Sequence, residues 1–200
     1  MIPEFIVDNL KFFDQEKYEQ VNDSGSCSFC EKSKDGEAEL TYHITGDAIA
    51  IKEPDKNVIP YLANEKGMRS CPDGFLFVKQ EEQWLLYIIE FKKTLDVTKF
   101  HKSKFQFRMG IYNARAVAAF LGIEIKEIIL CSSYQREKMP ISKKEKNLSL
   151  LRASNTITVR KGQEEWREEQ LELEVDKKIK TYQYEKIKLD GNGKATLRLS

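Results

Sequence analysis

At the start of the chain the apolar positions Phe5, Ile6, Leu10, Phe12 and Phe13 recur at helical spacing, and Asn22-Asp23-Ser24-Gly25 breaks the pattern. This predicts an amphipathic helix over residues 4 to about 21. Residues 26–36, polar and containing Cys27 and Cys30, read as a turn-rich stretch. Two short strands, residues 40–44 and 48–51, are expected on either side of Gly46. Residues 75–78 and 84–91 are β-rich runs separated by a short polar segment, the pattern of a hairpin. The second run is apolar on both faces, with Trp84, Leu86 and Ile88 on one and Leu85, Tyr87 and Ile89 on the other, as in a central strand covered on both sides.

Next comes a helix over residues 98–121, with Phe100, Phe107, Ile111, Ala114, Ala118 and Leu121 on one stripe and Gly122 at its end. Residues 127–131 form another buried-strand pattern, and residues 136–147 a lysine-rich loop. Strand-like alternation returns at 156–159 and 171–175. Residues 179–189 then turn at Asp190-Gly191-Asn192-Gly193 into 195–199, which predicts a terminal hairpin. With no internal repeat or linker, the 200 residues are read as one α/β domain, a mixed sheet flanked by helices with a β-rich C-terminal extension over residues 156–199.

Composition narrows the function classes. Lys and Arg number 33 against 32 Asp and Glu, so bulk charge does not hold a polyanion or an anionic membrane. The apolar runs are too short to span a bilayer and the N-terminus lacks the marks of a secretory signal, so a cytoplasmic protein with no membrane partner is expected. No P-loop or G-x-G-x-x-G occurs, and the two histidines, His43 and His101, sit in no nucleophile motif, which argues against nucleotide and acyl-transfer sites.

Three polar residues interrupt the most hydrophobic part of the chain: Asp73 before the first hairpin strand, and Glu90 and Lys92 at the end of the second. A turn centred between Glu81 and Glu82 sets Phe75 opposite Ile88, Phe77 opposite Leu86 and Asp73 opposite Glu90. Directly opposed side chains share a face with Cβ atoms about 4.5–5.5 Å apart, so the two carboxylates call for a proton or a hard divalent cation between them. Strand alternation puts Lys92 on the same face.

Pro72-Asp73, a hydrophobic hairpin and then Glu90-Phe91-Lys92 resemble the PD-(D/E)XK signature of the restriction-endonuclease-like nucleases. The resemblance covers residues 69–134, the catalytic core, including the long helix and the strand after it. It implies a restriction-endonuclease-like fold and a phosphodiester-cleaving enzyme, expected to be an endonuclease acting on DNA in preference to RNA in prokaryotic restriction, defence or DNA processing. It further implies Mg²⁺ or Mn²⁺ held by Asp73, Glu90 and the Phe91 carbonyl, with Lys92 positioning the attacking water. Many relatives add an acid from the first helix, for which Glu16 and Glu19 are available. Gln106 stands where some RecB-like relatives carry a helix glutamine, but Tyr112 follows it six residues on, whereas those relatives place a tyrosine four residues on.

Residues 91–115 hold seven basic residues against Asp96, and residues 164–176 hold seven acids against Arg167. The first block predicts phosphate contacts from Lys93, Lys102, Lys104 and Arg108, with Lys104, Arg108 and Arg115 on one edge of the helix. The acidic block should lie away from bound nucleic acid or restrain access to it. Double-strand cutting with one site per chain invites a homodimer. Cys27 and Cys30 have the spacing of half a zinc knuckle, for which only Cys71 and His43 could complete a site. The competing reading is a non-catalytic nucleic-acid or protein-binding module that keeps the nuclease fold.

Overall fold

The computed structural model describes residues 1–33, 36–54, 62–63, 67–139 and 153–199. Their secondary structure runs α1 (Glu4–Leu10), β1 (Tyr18–Val21), β2 (Ser24–Ser33), β3 (Gly36–Thr45), β4 (Ala48–Lys52), β5 (Gly74–Gln80), β6 (Gln83–Leu95), α2 (Val97–Leu121), β7 (Ile125–Glu137), α3 (Ala153–Glu168), β8 (Gln170–Val175), β9 (Lys178–Lys188) and β10 (Lys194–Leu199). Seven strands form a mixed sheet in the order β1-β4-β5-β6-β7-β9-β8, and three form a second sheet in the order β10-β3-β2.

The central strands are apolar on both faces because both faces are covered. Phe75, Phe77, Leu86 and Ile88 pack with Ile6 and Leu10 of α1, Phe100, Phe107 and Ile111 of α2, and Trp166 of α3. On the opposite face Leu76, Val78, Tyr87, Ile89 and Phe91 pack against Cys27, Phe29, Leu40 and Tyr42 of the small sheet. The molecule is therefore layered as helices, large sheet and small sheet.

The hairpin register is the expected one, with Phe75 opposite Ile88, Phe77 opposite Leu86 and Gly74 opposite Ile89. From β6 the chain crosses through α2 and returns as β7, parallel to β6. The long helix is closed at both ends: the Asp96 side chain accepts the Lys99 N–H at 2.9 Å, and Gly122 takes the left-handed conformation at φ 74°.

Four expectations give way. The first helix stops at Leu10, because the Asp14 carboxylate accepts the Glu16 N–H at 3.1 Å and turns the chain into β1 beside β4. The stretch read as turns over 26–36 is largely strand β2. Ser26 and Ser28 look polar in a linear reading, yet they alternate with buried Cys27 and Phe29, and Ser28 Oγ meets Thr41 Oγ1 at 2.8 Å across the ladder.

Residues 156–159 are helical, within α3, although β-branched residues favour strands. The tertiary anchor is Trp166, which packs against Tyr134, Tyr184 and Phe100 at ring-centroid distances of 5.5, 5.8 and 5.9 Å. Finally, β9 and β10 are strands but not a hairpin: β9 already has β7 and β8 on its two sides, so β10 passes to the small sheet and pairs parallel with β3. Of the strands in residues 156–199, β8 and β9 complete the large sheet and β10 joins the small one. Of the lysine-rich loop expected over 136–147, residues 136 and 137 close β7 and residues 140–147 lie outside the described residues.

Candidate functional site

The site begins where β5 runs out. Gly74 and Ile89 are the last ladder pair, so beyond Ile89 strand β6 keeps β7 on one side and loses β5 on the other. Asp73 leaves the ladder at that point. Its N–H donates to the Ile89 carbonyl at 2.9 Å, and its Oδ2 accepts the Phe91 N–H at 2.6 Å. The carboxylate thereby satisfies a β6 donor that no strand reaches. The expected face-to-face opposition of Asp73 and Glu90 is replaced by two carboxylates with separate partners.

Glu90 is 1% exposed, on the helix-side face of β6. Its Oε1 accepts from Lys92 Nζ and from Gln106 Nε2, the latter at 2.5 Å, while its Oε2 is buried without a hydrogen-bond partner. Lys92 Nζ also donates to the Phe91 carbonyl at 3.1 Å. Burial pulls the Lys92 ammonium down to about 8, against the lifting effect of the Asp73 and Glu31 carboxylates. Gln106 comes from α2 and ties the site to its own floor by a second bond to the Cys71 carbonyl at 3.3 Å.

Two glycines allow these elements to meet. A Cβ on Gly110 of α2 would lie 2.8 Å from Pro72 Cγ, so the helix can seat the Pro72-Asp73 corner only because that position has no side chain. A Cβ on Gly74 would overlap the Phe29 ring, which lies against the strand next to Asp73.

Asp73, Glu90, Lys92, Gln106 and Lys102 open on one cleft of about 810 Å³, whose opposite wall is the β2 segment Cys30-Glu31-Lys32. Glu31 is half-buried. Burial and then the Asp73 charge push its carboxyl above the usual range, while Lys92 pulls the other way. The sequence reading passed over Glu31, although Cys27, Phe29 and Glu31 follow the period of two that puts them on one face of a strand.

The chemistry of this wall suits a hard cation: carboxylates, a backbone carbonyl, and one carboxylate oxygen buried without a partner. Among the described residues, no three His, Cys, Asp or Glu side chains are assembled into a ready metal-ligand group. Glu90 Oε1 is instead held by Lys92 and Gln106.

Comparison with protein-family models, with curated proteins and with solved structures finds no match to this chain. The geometry therefore stands by itself. No helix among the described residues is long and apolar enough to cross a membrane.

The remaining candidates are scattered by the fold. Lys102 is exposed and lines the cleft. Lys104, expected to meet phosphate, is turned away and bonded to Glu165 Oε1 at 2.6 Å, and Arg115 pairs with Asp176 at 2.9 Å. Two residues of this edge of α2 are thus taken up by ion pairs with the acidic segment. Arg108 lies over the Phe105 ring with its guanidinium carbon 5.7 Å from the centroid and donates to Met68 Sδ at 3.3 Å. Lys93 points to the other face, beside Glu37 and Gln135.

Glu16 is exposed in the turn before β1, and Glu19 lies in β1 paired with Lys52 at 2.6 Å, so neither is carried on a helix. Tyr112 is on the far side, its hydroxyl accepting the Asp176 N–H at 2.8 Å. The zinc half-site does not form: three residues apart in β2, Cys27 faces the inter-sheet core and Cys30 faces outward. Burial, with Glu19 adding to it, pushes the Cys27 thiol up to about 12, far from the thiolate a zinc ion needs. Cys71 is buried with its Sγ donating to the Pro54 carbonyl at 3.3 Å, and His43 Nδ1 is bonded to Ser26 Oγ at 2.6 Å on the exposed side.

Proposed function

We propose that the protein is a divalent-cation-dependent nuclease of the restriction-endonuclease-like type, with Asp73, Glu90 and Lys92 as its catalytic residues and DNA as the favoured substrate. The observation that carries this reading is the meeting of the three residues, Asp73 from the corner next to β5 and Glu90 and Lys92 from β6, at one cleft where the β5–β6 ladder stops and β6 continues. The element order around them, a hairpin followed by a helical crossover to a parallel strand, agrees with the same resemblance.

Asp73, Glu90 and the Phe91 carbonyl would hold Mg²⁺ or Mn²⁺. Bound there, the cation would acidify a water molecule and stabilise charge on the scissile phosphate. The chain's own groups do the rest. Gln106 fixes the Glu90 carboxylate in one orientation. Lys92, drawn to about 8, keeps a donor at the cleft wall and can release its proton close to neutrality. Lys102, on the first turns of α2, offers a charge at the cleft mouth for a phosphate beside the one cut.

The test is incubation with supercoiled plasmid, single-stranded DNA and RNA in Mg²⁺, Mn²⁺ or EDTA. Cleavage is expected with either cation and not in EDTA, and is abolished in Lys92→Ala and Glu90→Gln. Equal cleavage by wild type and both variants would remove the assignment.

A further inference from the structure

The small sheet contributes a carboxylate to the cleft, and its placement follows from the pleat of β2. Phe29 is fully buried against Gly74, so the inward face of β2 lies directly over the start of β5. Two residues further along the same face, roughly 7 Å on, is Glu31. It therefore projects past Gly74 to the level of Asp73, and it lines the cleft with Asp73, Glu90 and Lys92.

Two features of this cleft lack a cationic partner. Glu31 is half-buried and its carboxylate makes no hydrogen bond or ion pair with any described residue; the charges that act on it are those of Asp73 and Lys92. Glu90 Oε2 is buried and unpartnered. The neighbouring acids and bases are engaged elsewhere: Glu53 with Lys17 at 3.1 Å, Lys32 with Glu37 at 3.6 Å, and Arg69 Nε with the Leu62 carbonyl at 2.8 Å. Among the described residues lining the cleft, Lys92 is the partly buried lysine beside Glu31, Asp73 and Glu90, whereas Lys102 is exposed. Like charges brought together out of bulk water call for a compensating cation, and oxygen donors select a hard one.

We propose that Glu31 is a ligand of a divalent cation which it shares with Asp73, so that the cation ties the small sheet to the large one across the cleft. This rests on the reading of the cleft as a divalent-cation site and adds to it a ligand from a different layer of the fold. One consequence is distinctive: cation binding stabilises the packing of the two sheets, and its effect is visible without any substrate.

The experiment is calorimetric titration of the full chain with Mn²⁺, and thermal unfolding with and without Ca²⁺, after EDTA treatment and dialysis. Wild type is expected to bind Mn²⁺ and to unfold at a higher temperature in Ca²⁺. Glu31→Gln should bind Mn²⁺ at least tenfold more weakly and lose most of the Ca²⁺-induced shift. Glu174→Gln, at an exposed position of β8, should behave as wild type in both. Glu31→Asp, which keeps the charge but shortens the reach, is measured in the same way and should also bind more weakly, so the idea stays testable if the glutamine variant does not fold. Unchanged Mn²⁺ affinity in both Glu31 variants, with affinity lost in Glu90→Gln, would overturn the role of Glu31 and leave the nuclease reading in place. If wild type binds neither Mn²⁺ nor Ca²⁺, both fall together.

Discussion

Asp73 Oδ2 accepts the Phe91 N–H at 2.6 Å, so a carboxylate takes the place that a strand carbonyl would occupy had the β5–β6 ladder run on past Gly74. Asp73 therefore has a structural task as well as a chemical one, and substitutions can separate them. Asn offers an acceptor of the same reach but no charge; Ala offers neither. Asp73→Asn should stay within about 1 kcal/mol of wild type in urea unfolding, while Asp73→Ala, leaving a buried N–H unsatisfied, should cost about 1–3 kcal/mol. Both should lose cation-dependent cleavage. If the Asn variant cuts as wild type does, Asp73 serves only as a strand cap.

Lys102 and Lys104 are two residues apart in sequence and opposite in role. Lys102 is exposed at the cleft, whereas the Lys104 ammonium is bonded to Glu165, whose side chain is only 7% exposed. Removing the lysine leaves that carboxylate buried and unpaired, so Lys104→Ala should destabilise by about 3–5 kcal/mol. Lys102→Ala should leave the melting temperature unchanged and weaken nucleic-acid binding, lowering the slope of log affinity against log salt by about 1. The reverse pattern would mean that the polyanion lies along the other edge of α2.

Gly110 offers a check on how the site is seated. In an exposed helix interior, Gly→Ala stabilises by roughly 0.5–1 kcal/mol. Here the new methyl would stand 2.8 Å from the ring of Pro72, which has no flexible end to move aside. Gly110→Ala should therefore destabilise, by about 1–3 kcal/mol, and displace the Pro72-Asp73 corner. Gly74→Ala should do the same through Phe29. A rise in melting temperature for Gly110→Ala would show that the corner is not packed on the helix.

These seats mark what the sequence could and could not disclose. The pairing of Phe75 with Ile88, the two-sided burial of β6 and the stripe of α2 were legible because each depends on local spacing and on a turn whose centre was apparent. The second sheet was not. Ser26 and Ser28 made β2 look like a loop, and only the partner strand β3 shows that Cys27, Phe29 and Glu31 form an inward face. The route of β10 was hidden for a similar reason, since it depends on β8 already occupying the free side of β9. The positions of Asp73, Glu90 and Lys92 in one neighbourhood could be foreseen from register. That Lys104 pairs with an acid sixty-one residues away could not.

Lys92 supplies a titration that reports on the site directly. Burial lowers it from 10.5 to about 8, and Asp73 and Glu31 only partly oppose that. Between about pH 8 and 10.5 the unfolded chain holds a proton on this lysine that the folded chain has released. Folding accordingly gains from this group as pH rises through that window; the gain is complete above 10.5 and gone below about 8. At most it amounts to roughly 3 kcal/mol. In EDTA-treated protein, lysine side-chain NMR should show one resonance, absent from Lys92→Met, with a midpoint near 8. The Glu31→Gln variant, which removes one of the opposing carboxylates, should move that midpoint lower still. A Lys92 midpoint near 10.5 would mean that its ammonium is solvated, and the cleft wall would then lack the desolvated cation on which its chemistry depends.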